Sequence, residues 1–78
     1  MKGSSGREVR DIQSRLIAAG FLSPDSREFA AGEFEDDTDR AVREFQQRKG
    51  LRADGVVGPD TWPALVDASR RLGSRFLY

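Results

Sequence analysis

The chain has 78 residues, room for one small domain, and 13 basic residues balance 13 acidic ones for a formal net charge of zero. With 37% hydrophobic and 33% charged residues it is too apolar for a disordered tail, and no apolar run approaches the roughly 18 residues of a membrane-spanning helix. There is no Cys and no His, which removes disulfides, Cys or His zinc sites and Ser-His catalysis, and the neutral balance argues against nucleic acid as a partner.

The first residues, Met1-Lys2-Gly3-Ser4-Ser5-Gly6, are followed by no apolar segment, so no secretory leader is expected. Val9, Ile12 and Leu16 then recur at helical spacing and predict a first helix ending at Gly20, where only glycine adopts φ > 0 freely. Phe21 and Leu22 are suited to fold back on it. Ser23-Pro24-Asp25-Ser26 signals a turn, and Phe21 to Glu35 is the longest connection. A second helix is predicted by Thr38, Ala41, Val42 and Phe45, ending at Gly50 with Leu51 after it. Glu35, Asp36 and Asp37 precede it, where the helix dipole favours negative charge. Asp39 with Arg43 and Glu44 with Arg48 have the favourable i, i+4 order. Trp62, Leu65, Ser69 and Leu72, flanked by Ala68, predict a third helix ending at Gly73. Pro63 favours a start just after Asp60, with Asp60 as N-cap, because proline is tolerated in a first turn and not in a helix interior. The whole of 1–78 is expected to be one domain with an ordered core over about 4–73. Residues 74–78 read as a tail or the start of a linker, with Phe76, Leu77 and Tyr78 free to dock on a neighbour.

The chain also repeats itself. Gly32-Glu33-Phe34-Glu35-Asp36-Asp37-Thr38-Asp39-Arg40-Ala41-Val42 aligns with Gly55-Val56-Val57-Gly58-Pro59-Asp60-Thr61-Trp62-Pro63-Ala64-Leu65. Gly, Asp, Thr and Ala are identical, and Phe34 and Val42 face apolar partners. Val9-Arg10-Asp11-Ile12-Gln13 likewise aligns with Val42-Arg43-Glu44-Phe45-Gln46. The expected fold is all-α: a small three-helix bundle with pseudo-symmetric loop-helix repeats.

The run Asp54-Gly55-Val56-Val57-Gly58-Pro59-Asp60-Thr61-Trp62-Pro63-Ala64-Leu65 is the most specific feature. Ala41-Val42-Arg43-Glu44-Phe45-Gln46 and Gly50-Leu51 precede it, and Gly3 to Gly6, Val9, Gln13, Leu16 and Gly20-Phe21 come earlier. Together these resemble the peptidoglycan-binding domain of bacterial cell-wall hydrolases, over about residues 3 to 73. The stretch Ser69-Arg70-Arg71-Leu72-Gly73 and the residues after it are similar to the wall-binding repeats of actinobacterial N-acetylmuramoyl-L-alanine amidases. The resemblance implies a non-catalytic module that holds a catalytic domain of the same parent chain on peptidoglycan. It implies a monomer with no cofactor, no metal and no membrane partner, acting at the cell wall, although the missing leader leaves cytoplasmic retention open. The pattern departs from the family at Glu35, where glycine is commoner, and at the extra acids Asp36 and Asp37. A related module precedes a cysteine switch in matrix metalloproteinases, a role that a chain without Cys does not have.

Asp54, Gly55 and Gly58 read as a structural turn motif. Asp60 and Thr61 suit a helix start and are also candidates for ligand contact. Trp62 offers a ring for stacking on a sugar or for filling the core. Arg40, Arg43, Gln46 and Gln47 carry groups that match stem-peptide carboxylates and amides, against the alternative of a solvated helix face. Gln46 adjoins the apolar stripe and so needs a hydrogen-bond partner, for which the Asp54 loop backbone is at hand. The expected binding site is one shallow groove edged by the second helix, the Asp54–Thr61 loop and Trp62. The acidic cluster around Glu33 to Asp39 matches no calcium-loop spacing, and so small a core builds no cleft for paired carboxylates. The rival expectation is a protein-interaction domain of the same fold without glycan affinity.

Overall fold

The computed structural model describes residues 2–76, with side chains for residues 2–70. Among the described residues four helices follow one another: α1 (Arg7–Ala18), α2 (Arg27–Ala31), α3 (Asp36–Arg48) and α4 (Thr61–Phe76). α1 packs chiefly on α4 and also on α3, while the short α2 bridges α1 and α3. The all-helical class is as expected, and the helix count is not. The long connection after Phe21 holds α2, too short to carry an amphipathic stripe and started by a local cap. Ser26 Oγ accepts from Glu28 N at 3.2 Å, and Gly32 closes the turn in the left-handed region at φ 69°.

Both long helices with Gly-then-apolar endings close in the same way. Gly20 (φ 86°) and Gly50 (φ 70°) turn the chain back. Phe21 N then donates to Leu16 O at 2.8 Å, and Leu51 N donates to Gln46 O at 2.8 Å, each satisfying a carbonyl that the helix leaves open. Phe21 thereby lands edge-on against Phe45, with ring centroids 5.3 Å apart. The core is Val9, Leu16, Leu22, Phe34, Ala41, Val42, Phe45 and Leu65. Gly73 does not end the last helix, which runs on to Phe76; glycine is only a weak breaker within a helix. α4 begins at Thr61, so Pro63 falls in its first turn, where its missing N–H is not needed. The side chains of Leu72 and Phe76, and residues 77–78, lie outside the described set.

The start of α3 corrects another expectation. The helix begins at Asp36, two residues before Thr38, and its N-cap Glu35 makes no side-chain capping bond. The cap comes instead from Glu28 on α2. Its carboxylate accepts from Glu35 N (2.9 Å), Asp37 N (2.6 Å) and Thr38 N (2.9 Å). Partial burial opposes ionisation of Glu28, and the hydrogen bonds from Thr38, Asp37 and Glu35 more than offset it, so its pKa lies below the usual glutamate value. A depressed folded-state pKa contributes stability above the ordinary Glu range, and that stability is lost as pH falls through the folded value. Glu28→Gln is therefore expected to lower stability by about 1 kcal/mol at neutral pH. Thermal melts of both proteins across pH check this: the difference should shrink as the pH falls below the ordinary Glu range, and a constant gap contradicts the capping role.

Candidate functional site

The Asp54–Thr61 loop is held by two side chains that α3 delivers one turn apart. Gln46 is wholly buried. Its Nε2 donates to Val56 O (3.0 Å), Thr61 Oγ1 (3.0 Å) and Asp54 Oδ1 (3.1 Å), three acceptors sharing two hydrogens. Its Oε1 accepts from Gly55 N at 3.0 Å. Asp54 Oδ1 also accepts from Val56 N at 3.0 Å, closing a local turn. That bond is the main reason the Asp54 carboxyl sits below its usual pKa, with Gln46 contributing. Arg43 reaches back from α3 with Nε on Asp39 Oδ2 (3.0 Å) and NH1 on Ala53 O (3.0 Å). Gly55, at φ 75°, packs directly on that ion pair.

The repeat seen in the sequence is a repeat of this device. Gln13 Nε2 donates to Glu33 O (2.9 Å) and Thr38 Oγ1 (3.1 Å), the counterparts of Val56 O and Thr61 Oγ1. Gly32 rests on the stem of Arg10 as Gly55 rests on Arg43. The copies differ in how the glycine N–H is satisfied, and in the bonds of Asp54, whose counterpart is Ala31. Gly32 N donates to Phe29 O at the end of α2, whereas Gly55 N serves Gln46. Gln13 Oε1 is therefore left without a partner among the described residues.

The loop separates two surface depressions, so the single groove expected from sequence is divided. On one side lies a groove of about 480 Å³ bounded by Leu51, Arg52, Asp54, Val56, Pro59 and Asp60, with Gly58 and Thr61 at its base. On the other side Trp62, Val57 and Ile12 form an apolar cleft edged by Glu8 and Asp11 of α1. Trp62 is half-buried there, with the Arg15 guanidinium 5.4 Å from its ring centroid, so its ring is partly packed and partly exposed. Arg15 is fixed by Ser69 Oγ (2.9 Å) and by Asp11 (3.2 Å).

The remaining candidates do not converge. Asp60 is exposed on the groove. Gln46 and Thr61 are buried and bonded to each other, so they shape the loop and present no side chain to the surface. Arg43 is exposed but engaged by Asp39 and Ala53. Arg40 and Gln47 face away, lining separate depressions beside Phe21. Sequence reasoning passed over Arg52, Val56 and Pro59. Val56 is 41% exposed, and its position in a Val-Val pair inside a glycine loop, where one must point outward, was a usable signal. No group of three or more acidic side chains is placed to hold a metal ion among the described residues.

Residues 5–65 match the peptidoglycan binding domain family. The chain belongs to this family. It is 40% identical, over 97% of its length, to part of the N-acetylmuramoyl-L-alanine amidase CwlM of Mycobacterium tuberculosis. It is 45% identical over 83% of its length to the amidase CwlL of Bacillus licheniformis, and 41% identical over 78% to the zinc D-Ala-D-Ala carboxypeptidase of Streptomyces albus G. The matched stretches make up 20%, 18% and 23% of those proteins, so the chain spans about a fifth of the length of the curated relatives it matches. It corresponds to their binding module, not to a whole enzyme. No solved structure matches it significantly.

Proposed function

We propose that this domain binds the peptidoglycan polymer without acting on it and tethers a catalytic partner domain, an N-acetylmuramoyl-L-alanine amidase by likeness to its relatives, to the wall outside the membrane. The observation that carries the reading is the groove beside the Asp54–Thr61 loop, whose walls are fixed from behind by Gln46 and Arg43. Leu51, Val56 and Pro59 offer apolar contact to sugar C–H faces, and Arg52, Asp54 and Asp60 offer partners for hydroxyl and acetamido groups. The loop is pre-ordered, so little freedom is lost on binding, but a shallow polar groove buries little apolar area and the affinity of one domain is weak. Tethering compensates by raising the effective concentration of the attached enzyme at its substrate.

Co-sedimentation with insoluble sacculi tests this. The intact domain is expected to pellet saturably. Arg52→Ala/Asp60→Ala should weaken pelleting by about tenfold, the equivalent of roughly 1.4 kcal/mol, while Arg40→Ala/Gln47→Ala should leave it unchanged. Loss only in the second pair would move the site to the depressions beside Phe21. Absence of pelleting at any domain concentration would refute wall binding.

A further inference from the structure

The two repeats differ in what covers the backbone edge of the glycine loop. In the first repeat the edge is occupied by the chain's own N-terminal segment. Gly6 N donates to Gly32 O (3.2 Å), Phe34 N to Ser4 O (2.9 Å) and Gly3 N to Phe34 O (2.7 Å), around an antiparallel bridge between Ser5 and Glu33. The counterparts of Gly32 and Phe34 are Gly55 and Val57. Gly55 O, Val57 N and Val57 O have no hydrogen-bond partner among the described residues. The reason lies in α3. Its residues Asp36–Asp39 are the counterparts of Gly3–Gly6, and they are coiled into the first helical turn. Asp39 still abuts Gly55, but the chain turns away before it reaches Val57.

We propose that an extended peptide adds to the Gly55–Val57 edge as Gly3–Gly6 adds to Gly32–Phe34, and that this peptide is the amine-bearing stem of the wall polymer. The inference rests on the wall-binding reading and adds the moiety: peptide on this side of the loop, glycan in the groove on the other. Unpaired edge groups are the usual template for strand addition, with main-chain bonds supplying affinity and adjoining pockets supplying selectivity. The adjoining pocket is the cleft of Trp62, Val57 and Ile12, edged by the exposed Glu8 and Asp11. Asp11 is already shared with Arg15, so Glu8 is the carboxylate left for an incoming cation. An aliphatic side chain ending in an ammonium group, such as that of the stem's diamino acid, fits this arrangement: methylenes against Trp62 and Ile12, charge toward Glu8.

The test is a titration of the 15N-labelled 78-residue chain with a stem tetrapeptide containing a free diamino-acid amine, beside the same peptide acetylated on that amine and an N-acetylglucosamine oligomer. The free peptide is expected to shift the Val57 amide and the Trp62 indole signals. Acetylation, or the surface substitution Glu8→Lys, should weaken it by about tenfold, and the oligomer should leave both signals in place. Peptide shifts at Arg52, Val56 and Asp60 that leave Val57 and Trp62 in place, or none up to millimolar peptide, overturn the proposal. Sacculus pelleting separates the two readings: if it persists, only the assignment of the peptide to this edge fails, and if it is absent, wall binding fails as well.

Discussion

Gln46→Ala is expected to lower the stability of the domain by about 3 kcal/mol and to loosen the Asp54–Thr61 loop, because no other polar side chain among the described residues bonds so many of the loop's groups. The truncation leaves Gly55 N–H, Val56 O and Thr61 Oγ1 without the partner they now share. Each abandoned buried group costs about 1 kcal/mol or more, and a chain of this size has only about 4 to 12 kcal/mol of net stability. Gln46→Glu should be at least as harmful, because it removes both donors and sets a carboxylate beside that of Asp54. Urea denaturation gives the stability change, and amide hydrogen exchange at Gly55 and Val56 gives the loop effect. A Gln46→Ala protein with wild-type midpoint and unchanged exchange would mean that the loop is held by other contacts.

Gly55→Ala is the second large effect, about 2 kcal/mol. A left-handed φ of 75° strains any L side chain by roughly 1 to 2 kcal/mol. The new Cβ would also lie 2.6 Å from Asp39 Oδ1 and 3.0 Å from Arg43 NH2, so the ion pair that anchors Ala53 must shift. Gly50→Ala is the control. It has nearly the same φ, 70°, with nothing within 4 Å of the added atom, and should show the backbone strain alone. Gly32→Ala should fall between, because its Cβ meets only the flexible stem of Arg10 at 3.2 Å. Equal losses at positions 50 and 55 would show that the Asp39–Arg43 pair contributes nothing to seating the loop. These substitutions also bear on binding, since a loop released from Arg43 alters both the groove and the edge at Val57.

Periodicity located α1, α3 and the start of α4 because each buries one stripe, and the glycine endings followed from a backbone that only glycine supplies cheaply. α2 escaped because five residues cannot show a helical period, and its stabilising work is done at a distance: Glu28 caps a helix seven residues or more ahead of it. The acids at Asp36 and Asp37 drew attention to the right helix end, but a remote side chain satisfies its N–H groups. Gln46 was readable as a polar residue needing a partner in the Asp54 loop. That its need is met so fully as to remove it from the surface followed only from the packing. The expected groove joined Trp62 to the loop because the two are adjacent in sequence. Alternation along Val56 and Val57 sends those neighbours to opposite sides, and Trp62 goes with Val57 toward α1.

The order of residues was thus sufficient for the family, the helical class and the repeated glycine-to-threonine device, because these rest on short-range rules of backbone conformation and periodicity. Which copy of that device keeps unpaired edge groups was settled by tertiary structure. The two copies each use a glutamine and a threonine, but one is bonded to the N-terminal segment and the other is left unpaired by the early coiling of α3. That difference depends on what each segment meets across the fold, at separations of about thirty residues where local propensity is silent.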